Sequence, residues 1–270
     1  MSAVAFVYDA PLAHLRWGQG DRAVVLLHGI GGGREAWGDA MSGTGLALAE
    51  AGFLAIAPDL PGYGDSLSIA PYDMAGLAGA VVALIDRLAP GRCALVGHSM
   101  GGMVAQEVMA RSPGRVQALV LSGTSPAFGK PDGNWQAQFL AQRLAPLDAG
   151  AGMAALAPGL ALGMASPTAA HDAVARAAVL MSAVPEATYR RALQAVVGFN
   201  RRELLADLHL PVLCLAGEHD RNAPPAVMQK MAARIAGAEF HCMSAVGHLA
   251  NMEAPALFNR ALVDFLQRRF

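Results

Sequence analysis

The sequence predicts an α/β protein: a mostly parallel central sheet of about eight strands, helices on both faces, and a helical cap insertion. Three observations carry this. Short runs of apolar residues without polar alternation, such as Ala23 to Leu27 and Val116 to Leu121, read as strands buried on both faces. Those runs alternate with stretches of helical periodicity. From Ala127 to about Leu208 the alternation stops, and the chain becomes Ala-, Gly- and Met-rich with helical pieces only.

Taken in order, Ala3 to Tyr8 and Ala13 to Trp17 read as an opening hairpin joined around Pro11, forming an antiparallel edge. The strand at Ala23 to Leu27 runs into His28-Gly29-Ile30-Gly31-Gly32-Gly33, a glycine-rich loop. A helix is expected over Trp37 to Ala51 and a strand over Phe53 to Ala57. That strand ends in the turn-rich Pro58-Asp59-Leu60-Pro61-Gly62-Tyr63-Gly64-Asp65-Ser66. A helix over Asp73 to Ala89 closes at Pro90-Gly91, and Cys93 to Val96 is the next strand.

Inside the interruption, helices are expected at Trp135 to Leu144, His171 to Met181 and Glu186 to Val197. Ala149 to Ala165 has no charged or polar side chain, but Pro158 breaks it and small residues dominate, so it is too weakly apolar to span a bilayer. The alternation resumes with a strand at Pro211 to Ala216, a helix near Pro225 to Ile235, a strand at Glu239 to Met243 and a last helix over Glu253 to Arg269. The expected division is 1–126 with 209–270 as core and 127–208 as cap.

Composition narrows the function classes. In 270 residues, 54% are hydrophobic and the net charge is −1, which offers no electrostatic case for nucleic acid or an anionic membrane. Cys93, Cys214 and Cys242 are widely spaced and odd in number, against a disulfide framework and for free thiols in a reducing compartment. Met1 to Gln19 carries no basic leader or continuous apolar stretch, so a cytoplasmic location is expected. A monomer or small homo-oligomer acting on a small molecule is the expected state.

The stretch that carries chemistry is Gly97-His98-Ser99-Met100-Gly101, a G-x-S-x-G between a buried strand and a helix beginning near Met103. The middle residue of such a turn is held in a strained conformation, so its side chain stands above the sheet. Gly97 and Gly101 remove collisions between closely packed strand and helix, and Gly102 permits still closer packing. Ser99 then sits at a helix N-terminus, where free N–H groups favour developing negative charge. The competing reading is an ordinary Gly-Ser-Gly turn; the flanking strand and helix argue against it.

With these motifs in place the chain resembles the α/β-hydrolase superfamily over essentially its whole length. H-G-x-G follows the third strand and D-x-P-G-x-G-x-S the fourth; G-H-S-M-G-G follows the fifth; G-E-x-D and G-H close the set. The resemblance implies an α/β-hydrolase fold and a catalytic triad: Ser99 as nucleophile, His248 as general base and acid, and Asp220 orienting the histidine. Of the eight histidines, His28 resembles the loop-bracing residue of the family and His98 is the variable residue of the elbow. His219 is the rival for the base, and Asp207 and Glu218 are rivals for the acid; Asp207 stands at the wrong end of its strand. The implied oxyanion hole is the backbone N–H of Ile30 and Met100, donors of a kind worth roughly 3–4 kcal/mol each. A nucleotide-phosphate loop at His28 to Gly33 is the alternative, but no Lys-Ser/Thr follows it.

A serine nucleophile excludes the related dehalogenase and epoxide hydrolase branches, which need aspartate there. No H-E-x-x-H and no Cys/His cluster occurs, so no metal and no cofactor is implied. The resemblance points to the bacterial 3-oxoadipate enol-lactonase and haloperoxidase-like esterase branch, and so to a small carboxylic ester or lactone hydrolysed through an acyl-enzyme. Carbon–carbon hydrolases of vinylogous diketo acids are the runner-up; they tend to carry tryptophan after the catalytic histidine, where this chain has Leu249. A non-catalytic small-molecule receptor is the alternative of another class. For the substrate pocket the candidates are Trp135, Phe139, Arg190 and Leu249, with Met153, Met164, Met181 and Phe199 as further apolar wall. Arg143, Arg176 and Arg191 join Arg190 as candidates for holding a substrate carboxylate.

Overall fold

A computed structural model describes the backbone of residues 5–7 and residues 12–89, 91–129 and 134–270. Residues 3, 4, 8 and 11 of the expected opening hairpin, and Pro90 of the expected helix stop, lie outside the described residues.

Eight strands form one sheet in the order β1-β2-β4-β3-β5-β6-β7-β8. They are β1 (Ala5–Val7), β2 (His14–Trp17), β3 (Ala23–Leu27), β4 (Leu54–Pro58), β5 (Cys93–His98), β6 (Val116–Ser122), β7 (Val212–Gly217) and β8 (Glu239–Met243). β1 and β2 pair antiparallel, β2 pairs antiparallel with β4, and every pairing from β4 to β8 is parallel. In β3, β5 and β7 every residue is buried, as strands covered on both faces require.

Helices α1 (Thr44–Glu50), α2 (Met74–Leu88) and α3 (Met100–Arg111) follow β3, β4 and β5. Between β6 and β7 come α4 (Trp135–Asp148), α5 (Met153–Met164), α6 (His171–Ser182) and α7 (Glu186–Val197). Then come α8 (Pro225–Ala232), α9 (Ala250–Glu253) and α10 (Pro255–Arg269). The two faces have separate cores. Leu77, Val81 and Val104 from α2 and α3 pack on Val25 and Leu95, while Phe258, Leu262 and Phe265 from α10 pack on Val24, Val96 and Val120.

Three expected elements need correction. Over Trp37 to Ala51 only Thr44–Glu50 is α-helix; Arg34–Trp37 is a 3₁₀ turn, and Gly38 and Gly43 take φ of 133° and 103°. Those angles favour glycine and stop a helix, and the Trp17 indole N–H holds the loop by donating to the Asp39 carbonyl at 2.9 Å. Met153–Met164 folds as a helix although Pro158 lies inside it. Small residues allow this: Ala157 and Ala161 are fully buried, and Ala161 clusters with Ala177 of α6. The last helix is two: Ala254 breaks it at φ −137°, and Pro255 starts α10.

Candidate active site

Ser99 is the residue between β5 and α3, with φ 53° and ψ −119°. That left-handed backbone is uncommon for a non-glycine residue and persists only where the surroundings enforce it. Here its N–H donates to the Ser122 carbonyl at 2.9 Å, and its carbonyl accepts from the Thr124 hydroxyl at 2.8 Å. The glycines earn their places sterically. A Cβ on Gly97 would strike the Gly101 carbonyl, and one on Gly101 would strike the Leu27 carbonyl of the neighbouring strand. A Cβ on Gly102 would lie 2.6 Å from the Thr124 methyl.

The loops after β7 and β8 bring two more groups to this turn. His248 Nε2 lies 3.0 Å from Ser99 Oγ, and His248 Nδ1 lies 2.8 Å from Asp220 Oδ2. A carboxylate only accepts, so Nδ1 carries the proton and donates to Asp220; Nε2 then accepts from the Ser99 hydroxyl. Asp220 and His248 are both buried, at 3% and 4% exposure, so the pair is shielded from water. Burial raises the Asp220 carboxyl. The His248 charge and hydrogen bond, with the Ala223 and Asn222 N–H groups donating at 2.9 and 2.8 Å, outweigh it and hold the acid below its ordinary value. The arrangement can draw a proton from Ser99 and hold the resulting imidazolium.

The rivals stand elsewhere. Asp207 ends a short 3₁₀ turn before β7. Glu218 accepts from the Ala245 N–H at 2.8 Å, and the carboxylate that meets His248 is that of Asp220. His98, inside the elbow, tilts against His248 with ring centroids 4.9 Å apart. Burial first, then the His248 charge, pushes its pKa down to about 3, so it is a neutral neighbour.

The glycine-rich loop is braced as expected. His28 Nδ1 donates to the Gly29 carbonyl at 2.8 Å, and Nε2 accepts from the Leu60 N–H at 3.0 Å, which joins the loops after β3 and β4. Arg34 bonds Asp59 twice, through its backbone N–H at 2.8 Å and its guanidinium at 2.6 Å. The Tyr63 hydroxyl donates to the Ile30 carbonyl at 3.0 Å. Met100 is the first residue of α3, so its N–H is among the donors a helix leaves free.

Above Ser99 lies a cavity of about 180 Å³ bordered by Ile30, Met100, Thr124, His248 and the helices between β6 and β7. Trp135, Phe139, Met164 and Met181 line it; Phe128 joins Trp135 and Phe139 in a cluster with centroids 4.8 Å away from each. Met153 and Phe199 are buried in the core instead. Arg190 does not line the cavity: it is held on the surface by Asp148 at 2.6 Å and Glu186 at 2.8 Å. Arg176 donates to the Glu35 carbonyl and Arg191 lies over Tyr72. The candidate arginine that reaches the cavity is Arg143, stacked 5.3 Å from the Phe139 ring, and Arg221 joins it. Leu249 is buried against Ala161 and Ala177 and borders a second, smaller cavity on the histidine side.

Two residues went unnoticed in the sequence. Thr124 carries no motif signal. Glu253 does, since it closes the run Gly247-His248-Leu249-Ala250-Asn251-Met252-Glu253; its carboxylate accepts from Gly247 and Leu249 N–H, both at 3.0 Å.

Comparisons with known proteins identify the family. The model of the "Alpha/beta hydrolase family" matches residues 24–261. The chain belongs to the alpha/beta hydrolase family. It is an enzyme of that family. A Variovorax paradoxus (strain S110) protein named for carbamate hydrolysis, RutD, is 34% identical over 254 residues, 91% of this chain and 92% of that one. The 2-hydroxy-6-oxononadienedioate/2-hydroxy-6-oxononatrienedioate hydrolase of a Pseudomonas species is 28% identical, covering 93% of this chain and 90% of its own. Among solved structures, the enol-lactonase from Burkholderia xenovorans LB400 superposes with a TM-score of 0.82 at 25% identity, covering 95% of this chain and 96% of its own. Among the described residues, no helix is long and apolar enough to cross a membrane.

Proposed function

We propose that this alpha/beta hydrolase cleaves a small carboxylic ester or lactone through an acyl-enzyme on Ser99. The observation that carries the reading is the hydrogen-bonded row Ser99–His248–Asp220, with the serine on a strained elbow at a helix N-terminus. Ser99 Oγ attacks the carbonyl carbon while His248 Nε2 takes its proton. The N–H groups of Ile30 and Met100 receive the carbonyl oxygen as it becomes an oxyanion. The acyl carbon–oxygen bond then breaks, and His248 returns the proton to the departing oxygen. Water, deprotonated by the same nitrogen, attacks the acyl-enzyme and frees the acid.

In this reading residues 127–208 act as a cap whose α4 to α7 roof the acyl group. The relative named as a 2-hydroxy-6-oxononadienedioate/2-hydroxy-6-oxononatrienedioate hydrolase keeps carbon–carbon hydrolysis in view. Leu249 weighs against it, being aliphatic where hydrolases of that kind tend to carry tryptophan. The relative named for carbamate hydrolysis adds carbamates to the substrates to be tried. The test is turnover by purified protein of p-nitrophenyl acetate, simple lactones, an enol-lactone, a carbamate and a vinylogous diketo acid, beside Ser99→Ala. Ser99-dependent hydrolysis of esters or lactones is expected. A diketo acid cleaved about a hundredfold better than these, roughly 2.7 kcal/mol in the barrier, would replace the reading with carbon–carbon hydrolysis. Tight binding without turnover of any of them would replace it with a receptor.

A further inference from the structure

Ser99 and His248 stand where two unequal cavities meet. The larger, about 180 Å³, extends beneath the helices and is mostly apolar, with Met103, Phe139 and Leu193 in its wall. The smaller, about 40 Å³, lies between the glycine-rich loop and the residues that follow His248, with Trp37, Leu249, Asn251 and Met252 in its wall. Met164 and Met181 border both.

These sizes correspond to different chemistry. About 10–15 Å³ of such space holds one water, and an apolar cavity of about 150 Å³ accepts benzene. The larger space therefore takes a ring or a chain of similar bulk, and the smaller takes a group of about two or three heavy atoms.

Resting on the acyl-enzyme reading above, we propose that the smaller cavity is the leaving-group subsite. It directs this enzyme to acyl-oxygen substrates whose bulk is in the acyl part and whose leaving alcohol is methanol- or ethanol-sized. The departing oxygen must lie within hydrogen-bond reach of His248 Nε2, and the smaller cavity is walled by the residues next to that histidine. The acyl group stays on Ser99 through deacylation and needs room that persists, which the larger cavity has. When the alcohol leaves, the vacated space admits the water that must replace it, beside the same nitrogen. A lactone meets the same limit, because its leaving oxygen carries only its own ring.

Isomeric esters test this directly. Methyl phenylacetate places the ring in the acyl part and benzyl acetate in the alcohol, at equal composition. Methyl phenylacetate is expected to have the higher kcat/KM by about tenfold or more, the discrimination a pocket of wrong size imposes. Met252 borders the smaller cavity and not the larger, so Met252→Ala is expected to shrink that ratio by improving benzyl acetate. A measurement on the wild-type enzyme guards against a misfolded variant. With ethyl phenylacetate as acyl donor, added methanol should capture the acyl-enzyme as methyl phenylacetate, whereas benzyl alcohol at equal concentration should not give benzyl phenylacetate. Benzyl acetate cleaved as well as its isomer in a Ser99-dependent reaction, or equal capture by both alcohols, overturns the subsite and leaves the acyl-enzyme standing. Failure of every ester and lactone overturns both.

Discussion

The backbone N–H of His248 donates to the carbonyl of Met164, the last residue of α5, at 2.8 Å. The histidine is thereby tied to the helices over the site as well as to its own loop. Glu253 completes the tie: one carboxylate oxygen accepts from Ser166 at 2.8 Å and Gly247 at 3.0 Å, the other from Leu249 at 3.0 Å. Gly247 is packed so closely that a Cβ there would strike the Ser166 nitrogen.

Glu253 is accordingly expected to position His248 through the backbone. A carboxylate accepts all three N–H groups; a glutamine presents an NH₂ to one side of them. Bonds to a charged acceptor contribute about 1.5–3 kcal/mol each, so Glu253→Gln should lower kcat about tenfold or more and move KM little. Glu253→Asp should recover part of the rate. Steady-state kinetics beside a thermal melt checks this, since a purely structural role would lower the melting temperature and leave kcat of the folded fraction unchanged.

The acid of the proposed triad has its own test. Asp220→Asn leaves an oxygen for the Asn222 and Ala223 N–H groups but gives up the charge facing His248. The expected loss in kcat is several orders of magnitude, on the order of 10⁴ where such a change has been made in a triad of this type. Asp207→Asn, at the far end of β7, should be near neutral. The opposite pattern in the two variants would reassign the acid.

Acid sensitivity should trace partly to His98. Its folded pKa is pushed down to about 3 from an ordinary 6.5, so between those values the unfolded chain binds a proton that the folded one does not. Stability is then fully present above about pH 6.5 and falls as the pH drops, by up to about 1.4 kcal/mol per pH unit for this one group. Urea unfolding of wild type and His98→Gln from pH 7 to 4 should show a shallower decline in the variant. His28, also lowered by burial, adds a similar slope to both proteins and cancels in the comparison.

Arg143 and Arg190 should separate cleanly. Arg143 borders the larger cavity, where burial raises the neighbouring Tyr189 hydroxyl against the pull of the Arg143 charge. Arg190 is committed to Asp148 and Glu186. For an ester with a free carboxylate at the far end of its acyl chain, Arg143→Gln is expected to lower kcat/KM about tenfold or more. The uncharged analogue should be little affected, and Arg190→Gln should leave both rates near wild type. Equal effects of the two substitutions would remove Arg143 from substrate recognition.

What the sequence determined by itself is what short-range chemistry decides. Gly97 to Gly101, between an apolar strand and a helix, predicts a strained turn with Ser99 at its tip, and Ser99 takes φ 53°. The fully apolar runs had to be parallel strands buried on both faces. The tertiary structure alone decided the rest. The loop that replaces the helix expected from Trp37 breaks at Gly38 and Gly43, but what fixes its place is Trp17, which holds the Asp39 carbonyl from 22 residues away. The four candidate arginines between β6 and β7 look alike in sequence; the packing of α4 and α7 over the cavity separates Arg143 from Arg190. Glu253 reaches Ser166 across 87 residues of chain. No local pattern encodes such a contact, because its partners are backbone N–H groups that every residue but proline carries, and only folding selects which of them face the carboxylate.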